Sequence, residues 1–133
     1  MTSTHNIIVS FGSNYNHRAN ATMAKSLIAK VVKHMQMSRE MLTVPVGEPP
    51  CDDCHKYLNF LVSGLTQLSP AQFTAMLKDI ERQCGDSTLL RANGKVAADL
   101  DLMLYDGVRY HTGDWQRSYM QQLIDDLDCC MTR

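Results

Sequence analysis

The stretch Ala97-Ala98-Asp99-Leu100-Asp101-Leu102-Met103-Leu104-Tyr105-Asp106-Gly107 alternates between two sets of side chains. A period of two is typical of a β-strand with one buried face, and the turn formers Asp106-Gly107 predict where the strand ends. The predicted inner face carries Ala98, Leu100, Leu102 and Leu104, and the predicted outer face carries Asp99, Asp101, Met103 and Tyr105. We therefore expect one apolar side and one side that holds two acids.

Asp99 and Asp101 are unusual neighbours on the outer face of this strand. Residues two apart on a strand point to the same side, with Cα atoms about 6.5–7 Å apart. Two carboxylates at that distance repel each other, whereas a hard divalent cation between them would relieve the repulsion. A Mg2+ site and a solvated face of an edge strand both explain the pair, and the stretch alone does not choose between them.

Length and composition predict an ordinary globular protein that forms a single domain over residues 1–133. The chain is 44% hydrophobic and 20% charged, and its formal net charge is −1. That charge gives no electrostatic argument for binding to nucleic acid or to a membrane surface. No spanning apolar run or signal peptide is recognisable, so we expect a cytoplasmic location. The five cysteines are an odd number, which favours a reduced state.

Four segments before the second helix have recognisable patterns. Asn6–Phe11 is rich in β-branched residues and predicts a buried strand, Met37–Val46 is extended but weakly specified, and Tyr57–Thr66 alternates like a second clear strand. Between the first two lies an amphipathic pattern that predicts a helix of four to five turns. Its apolar positions are Met23, Leu27, Ile28, Val31 and Met35.

The best helix start in the chain is Ser69-Pro70-Ala71-Gln72. Ser69 suits the N-cap, proline suits the first helical position, and Gln72 completes a capping box. Gly85 is placed to end the helix. Asp86–Val96 is predicted to be a loop, and Trp115–Asp128 a short C-terminal helix.

The order strand, helix, strand, strand, helix, strand predicts an α+β fold with a ferredoxin-like βαββαβ antiparallel sheet. Both helices should lie on one face, and the other face is left to loops and ligands. Asp99 and Asp101 should point to that open face, together with Tyr57 and Asn59.

Several short pieces of the chain resemble one enzyme family. Taken together and in order, they are similar to the 6-hydroxymethyl-7,8-dihydropterin pyrophosphokinase family over about Ile7 to Tyr119. The pieces are Phe11-Gly12-Ser13-Asn14, Thr43-Val44-Pro45-Val46-Gly47, Tyr57-Leu58-Asn59, Asp99-Leu100-Asp101-Leu102-Met103-Leu104-Tyr105, His111 and Arg117-Ser118-Tyr119. The resemblance implies transfer of pyrophosphate from Mg-ATP to a hydroxymethylpterin in folate biosynthesis.

The resemblance also implies roles for individual residues. Asp99 and Asp101 match carboxylates that hold Mg2+ between the ATP phosphates. The pterin-binding positions match Thr43, Val46, Tyr57, Asn59 and Tyr119. His111 and Arg117 match nucleotide-side residues, so Asp99, Asp101, His111 and Arg117 form the predicted catalytic set. The partners implied are a pterin and ATP as co-substrate, in a monomer or homodimer.

The chain departs from the family in the basic loop before the last strand. Where the family has a run of the type Arg-Trp-Gly-Pro-Arg-Thr, this chain has Ala92-Asn93-Gly94-Lys95-Val96-Ala97. Asp86 and Thr88 stand where basic residues are usual, which leaves Arg91 and Lys95 as the candidate phosphate cations. The chain also ends sooner than the family's. A catalytically weakened or inactive paralogue, serving as a pterin/nucleotide-binding or protein-interaction module, is the alternative interpretation.

A cysteine-rich loop has a separate potential as a metal site. Cys51-Asp52-Asp53-Cys54-His55 contains half of a zinc-site pattern, and Cys129-Cys130 could supply further ligands. The other interpretation is that these cysteines are solvated loop residues without a metal, and the sequence favours this interpretation.

Overall fold

The computed structural model describes residues 3–44 and 56–131, with side chains as far as residue 127. One antiparallel sheet carries helices on both faces. The elements are β1 His5–Ser13, α1 His17–Ile28, β2 Lys33–Met37, β3 Met41–Thr43, β4 Tyr57–Thr66, α2 Pro70–Gln83, α3 Thr88–Ala92, β5 Asp99–Tyr105, β6 Val108–Arg109, α4 Thr112–Trp115 and α5 Ser118–Met131. Within these residues no helix is both long and apolar enough to cross a membrane.

The strand order confirms the predicted ferredoxin-like arrangement. The sheet runs β2-β4-β1-β5-β6, and β3 also pairs with β4. Since β2 and β3 bind successive parts of the same edge of β4, they act as one interrupted strand. β1 therefore lies at the centre, with β4 and β5 antiparallel on either side of it.

The first face of the sheet packs against α1 and α2. Alternate residues of β1 and β4 point to this side, as the period of two predicts. The largest buried members of this core are Ile7, Phe11, Leu58, Phe60, Leu100, Ile28, Phe73 and Leu77, each at most 2% exposed.

The ends of α2 agree with the sequence prediction. The Ser69 hydroxyl accepts the Gln72 N–H at 3.2 Å, and the Gln72 side chain accepts the Ser69 N–H at 2.9 Å. This reciprocal pair satisfies two N–H groups that the helix itself leaves without partners. At the other end Gly85 has φ of +91°, which glycine adopts without strain.

The first helix is shorter than predicted. α1 ends at Ile28, so Val31 lies beyond it and Met35 belongs to β2. Both residues still pack against the first core, which is why a helical spacing could be traced through them. A Cβ atom at Gly64 would lie 2.8 Å from the Lys33 carbonyl, so glycine there lets β2 approach β4 closely.

A bulge in β5 corrects the predicted faces of that strand. The pairing with β1 shifts between Ile8 and Val9, so the β5 partners change from Leu104 to Leu102 and Met103 is the extra residue. A bulge reverses the alternation that follows it. Tyr105 therefore packs in the first core, while Leu104 packs on the second face, the opposite of the prediction.

The second face is not left to loops and ligands alone, so that prediction was wrong in part. A second core lies between the sheet and the C-terminal helices, formed by Leu61, Met103, Trp115, Met120, Leu123 and Leu127. The helix predicted over Trp115–Asp128 is α5, which begins three residues later, at Ser118; Trp115 instead ends the separate short helix α4. The Gln121 side chain donates to the Trp115 carbonyl and so satisfies this acceptor at the end of α4.

We expect Leu127→Ala to lower the free energy of unfolding by about 2–5 kcal/mol, because Leu127 is fully buried in the second core. Urea unfolding monitored by circular dichroism measures the change. Asp125→Ala, at an exposed position of the same helix, is the control and should change the value by less than about 0.5 kcal/mol. Equal stability of the two variants would show that α5 is not an integral layer.

Candidate active site

One row of residues across three strands forms the floor of the site. In the strand register Gly12 of β1 lies opposite Asn59 of β4 on one side and opposite Asp99 of β5 on the other. Directly opposed residues share a face, so the Asn59 amide and the Asp99 carboxylate both point to the second face. A Cβ atom at Gly12 would lie 3.5 Å from Asn59 Oδ1 and 3.7 Å from a ring carbon of Tyr57. Glycine therefore leaves the floor open between them.

Above this row lies a first cavity of about 320 Å3. This volume is within the range of small-ligand sites, and its lining combines aromatic rings with a few polar groups. Met120 and Leu123 of α5 close one side of it. The predicted site residues that line it are Thr43, Tyr57, Asn59, Asp99, Asp101, Arg117 and Tyr119.

The Asn59 amide is held in one orientation. Its Nδ2 donates to Thr43 Oγ1 at 2.8 Å, to the Tyr57 carbonyl at 3.1 Å and to the Met41 carbonyl at 3.3 Å. Its Oδ1 faces the Gly12 side, so a fixed acceptor points towards the cavity. Thr43, a predicted pterin-binding position, therefore lines the cavity and also orients the Asn59 amide through its hydroxyl.

The two carboxylates of β5 carry an excess of negative charge. Burial raises the pKa of Asp101, and the neighbouring Asp99 charge raises it further. Basic side chains come within 4.0 Å of both carboxylates: His111 Nε2 lies 3.7 Å from Asp101 Oδ1, and Arg91 Nη2 lies 3.6 Å from Asp99 Oδ1. Neither pair is a short ion pair.

This donor set fits Mg2+. Carboxylate oxygens are its preferred protein ligands, and Mg2+ usually takes one or two of them and fills its other positions with water and phosphate. Among the described residues no group of three or more His, Cys, Asp or Glu side chains could hold a metal. Two carboxylates suit an ion whose other positions are taken by water and phosphate oxygens.

A second cavity of about 620 Å3 lies between α2 and β5. Thr74 and Lys78 line it from α2, and Tyr110 and His111 line it from the segment after β6. Asp101 lines both cavities. Asp101 is therefore at the junction of the two cavities, and each cavity is large enough for part of a substrate.

The remaining predicted nucleotide ligands lie in different places. His111 lines the second cavity, whereas Arg117 lines the first and pairs with Asp114 at 3.1 Å. The Lys95 side chain is exposed, with Nζ 5.5 Å from the centre of the Tyr15 ring. The Arg91 guanidinium lies within 4.0 Å of carboxylate oxygens of Glu81, Asp86 and Asp99.

Two sets of predicted residues lie outside the described part of the chain. Val46, a predicted pterin contact, falls in residues 45–55, as do Cys51, Cys54 and His55 of the cysteine-rich loop. The side chains of Cys129 and Cys130 are likewise outside it.

The segment Asp86–Val96, predicted to be a loop, contains the helix α3. The Ser87 hydroxyl accepts the Leu90 N–H at 3.1 Å and caps it. Ser87 in front of Thr88-Leu89-Leu90-Arg91 matched an N-cap, but five residues are too few for a helical period to be recognised in the sequence.

Sequence reasoning missed Lys78 and Glu81. Glu81 is buried, its carboxylate accepts the Leu100 N–H at 2.7 Å, and Lys78 Nζ lies 3.4 Å from it. The i, i+3 spacing of a lysine and a glutamate on α2 was the available pattern, but it usually marks an exposed pair.

Comparison with known proteins decides the family. A family model described as 7,8-dihydro-6-hydroxymethylpterin-pyrophosphokinase matches residues 8–128. The chain belongs to this family. It is also 29% identical, over 92% of its length, to a folate synthesis bifunctional protein, mitochondrial, from Arabidopsis thaliana. The chain spans 23% of the length of that relative. The resemblance inferred from the sequence is confirmed.

Asp101→Asn tests the carboxylate pair of this pterin pyrophosphokinase family member. We expect it to abolish the Mg2+-dependent binding of a non-hydrolysable ATP analogue, measured by calorimetry. The variant should also be more stable than the wild type at pH 7. The raised pKa means that ionising Asp101 costs stability as the pH rises above about 3.9, so the difference should vanish near pH 3. Asp125→Asn, on exposed α5 surface, is the control. Unchanged Mg2+-nucleotide affinity in Asp101→Asn would contradict the metal assignment.

Asn59→Ala tests whether the first cavity binds the pterin ring. We expect pterin binding, measured by fluorescence titration, to weaken by about 1–3 kcal/mol, because a ring donor loses its acceptor. Thr43→Val should weaken binding less, since it removes one of three hydrogen bonds that orient the amide. Gln67→Ala replaces an exposed amide beyond β4 and should have no effect. If all three variants bind pterin equally well, the Asn59 assignment is wrong.

Proposed function

We propose that this chain transfers a pyrophosphoryl group from ATP to the hydroxymethyl oxygen of 6-hydroxymethyl-7,8-dihydropterin. The observation that carries the proposal is that Asp101 lines both cavities. In this reaction the hydroxymethyl oxygen forms a bond to the β-phosphorus, the bond from that phosphorus to the α,β-bridging oxygen breaks, and AMP leaves. The hydroxyl proton is released. Both reactants must meet at one point, and the junction of the cavities provides it.

The first cavity suits the pterin. A flat heterocycle needs aromatic faces for its plane and fixed polar groups for its edge. Tyr57 and Tyr119 line the cavity, and burial raises the pKa of each phenol, so both stay neutral at physiological pH. The Asn59 carbonyl oxygen would accept a hydrogen bond from a ring N–H.

The second cavity suits the nucleotide. Its lining is mostly apolar but includes Lys78 and His111 next to Asp101. An ammonium group and an imidazole at this position would contact phosphate oxygens, while Leu102 and Tyr110 provide apolar surface. Lys95 and Arg117 stay predictions as nucleotide ligands, whereas the guanidinium of Arg91, which the sequence also predicted as one, is paired with Asp86 at 2.7 Å.

Mg2+ completes the proposed site. Asp99 and Asp101 would hold it, and when bound it would neutralise charge on the transferring phosphates. The protein's own task is to place the hydroxymethyl oxygen and the phosphate chain against each other. Such positioning provides a large share of catalysis in phosphoryl transfer.

A catalytically weakened or inactive paralogue is the second candidate function. It is favoured by one observation: Asp86, where the family usually has a basic residue, pairs with Arg91 at 2.7 Å. The single domain over residues 1–133, the cytoplasmic location and the monomer or homodimer also stay predictions. The name of the Arabidopsis relative describes that protein as mitochondrial.

We expect turnover to be slow and sensitive to the cations that this chain retains. Each charge-assisted hydrogen bond that a basic side chain of the loop would have made to phosphate is worth about 1.5–3 kcal/mol, or one to two orders of magnitude in rate if it acts in the transition state. A steady-state assay of AMP formation with Mg-ATP and hydroxymethyldihydropterin measures this. Lys78→Ala and Lys95→Ala should raise KM for ATP, and Arg82→Ala, which removes an exposed cation of α2, should not.

Two outcomes of that assay would count against the proposal. Turnover near 10 per second, a typical enzyme rate, with no effect of either lysine variant would show that the loop and α2 cations are not needed. Pterin binding without any AMP formation would favour the binding module.

A further inference from the structure

The backbone at the start of β5 is held by side chains that come from outside the sheet. Three backbone groups on either side of Asp99 are bound in this way. The hydrogen bonds run from the Ala97 N–H to Asp86 Oδ1 at 3.0 Å, from Arg91 Nη2 to the Ala98 carbonyl at 3.1 Å, and from the Leu100 N–H to Glu81 Oε2 at 2.7 Å. We call Glu81, Asp86 and Arg91 the anchoring cluster.

Arg91 is the centre of this cluster. Its Nε donates to Asp86 Oδ2 at 2.7 Å, and its Nη2 lies 4.0 Å from Glu81 Oε2 and 3.6 Å from Asp99 Oδ1. One guanidinium thus lies within 4.0 Å of three carboxylates. It also binds the carbonyl next to Asp99, so its position and that of the predicted metal ligand are coupled.

The burial of the acids makes it costly for Arg91 to leave. The side chains of Glu81 and Asp86 are each 8% exposed, whereas that of Arg91 is 40% exposed. If the guanidinium moved out to bind a phosphate, the Asp86 carboxylate would lose its charge-assisted partner while remaining buried. Within the described part of the chain, Lys78 contacts Glu81 but has no ion pair with Asp86.

We propose that Arg91 is a positioning residue, which holds the Asp99 carboxylate and the start of β5 in place through Asp86 and Glu81 instead of binding ATP phosphates. This inference rests on the proposed function, in which Asp99 binds Mg2+. Asp86 is then the partner that keeps Arg91 beside the carboxylates. Mutation of a residue that orients a metal ligand typically lowers metal affinity by about 10- to 100-fold.

The test compares Arg91→Gln, Asp86→Asn and the double variant with the wild type. Asp86→Asn keeps an oxygen for the Ala97 N–H but loses the ion pair. Arg82→Gln is the matched control, since Arg82 is an exposed arginine of α2 that pairs with Asp79. The first readout is the affinity for Mn2+ alone, measured by electron paramagnetic resonance without nucleotide. The second readouts are the Mg2+ dependence of turnover and KM for ATP at saturating Mg2+.

Each single variant should lower Mn2+ affinity by about 10-fold or more, and the double variant should be no worse than either single variant. KM for ATP at saturating Mg2+ should change little. Thermal unfolding checks that each variant is folded, and Arg91→Lys replaces Arg91→Gln if the latter is not.

A direct phosphate ligand would behave in the opposite way. Asp86→Asn would then free Arg91 and lower KM for ATP, while Arg91→Gln would raise it and leave Mn2+ affinity unchanged. Either result overturns the proposal. Absence of turnover in the wild type would refute the proposed function instead, because Mn2+ affinity is measured without the reaction.

Discussion

The antiparallel pairing of β1 with both β4 and β5 is the constraint on which the site depends. It places Asn59, Gly12 and Asp99 in one row, and Leu61, Ser10 and Asp101 in the next. A shift of one residue in either ladder would turn an acid or an amide into the core, so burial of the first face enforces the register. The position of Asn59 in the first cavity and the position of the carboxylate pair thus both follow from this strand register.

The second core and the first cavity divide the second face of the sheet between packing and function. Leu61 and Met103 pack in the second core, whereas Asn59 and Asp99, nearer the starts of the same two strands, line the first cavity. Tyr119 belongs to both regions, since it packs against the second core and lines the cavity. The helix α5 therefore contributes to stability and also forms one wall of the first cavity. Because it covers part of the second face, the first cavity is small.

Charge is concentrated at the start of β5. Four acids, Glu81, Asp86, Asp99 and Asp101, lie there, and the basic side chains within 4.0 Å of them include Lys78 of α2, Arg91 of α3 and His111. The pKa of Glu81 is raised, mainly by burial, and that of Asp101 is raised by burial and by Asp99. Four acids this close together favour the binding of a cation and reduce stability. Such a cluster of carboxylates with shifted pKa values is expected where a protein binds a metal–phosphate complex.

The sequence by itself determined the features that depend on neighbours along the chain. The bounds of β4, the capped start of α2 and the shared face of Asp99 and Asp101 follow from local periodicity and hydrogen bonding, and the structure agrees with each. Only the tertiary structure decided the end of α1, the bulge at Met103, the cover provided by α5 and the partners of Arg91. Each of these depends on contacts between separate elements. Gly64 lets β2 approach β4 closely, and Asp86 and Glu81 bind the backbone before and within β5. Local sequence patterns do not contain that information, because side-chain packing and charge pairing depend on which elements are neighbours in the folded protein.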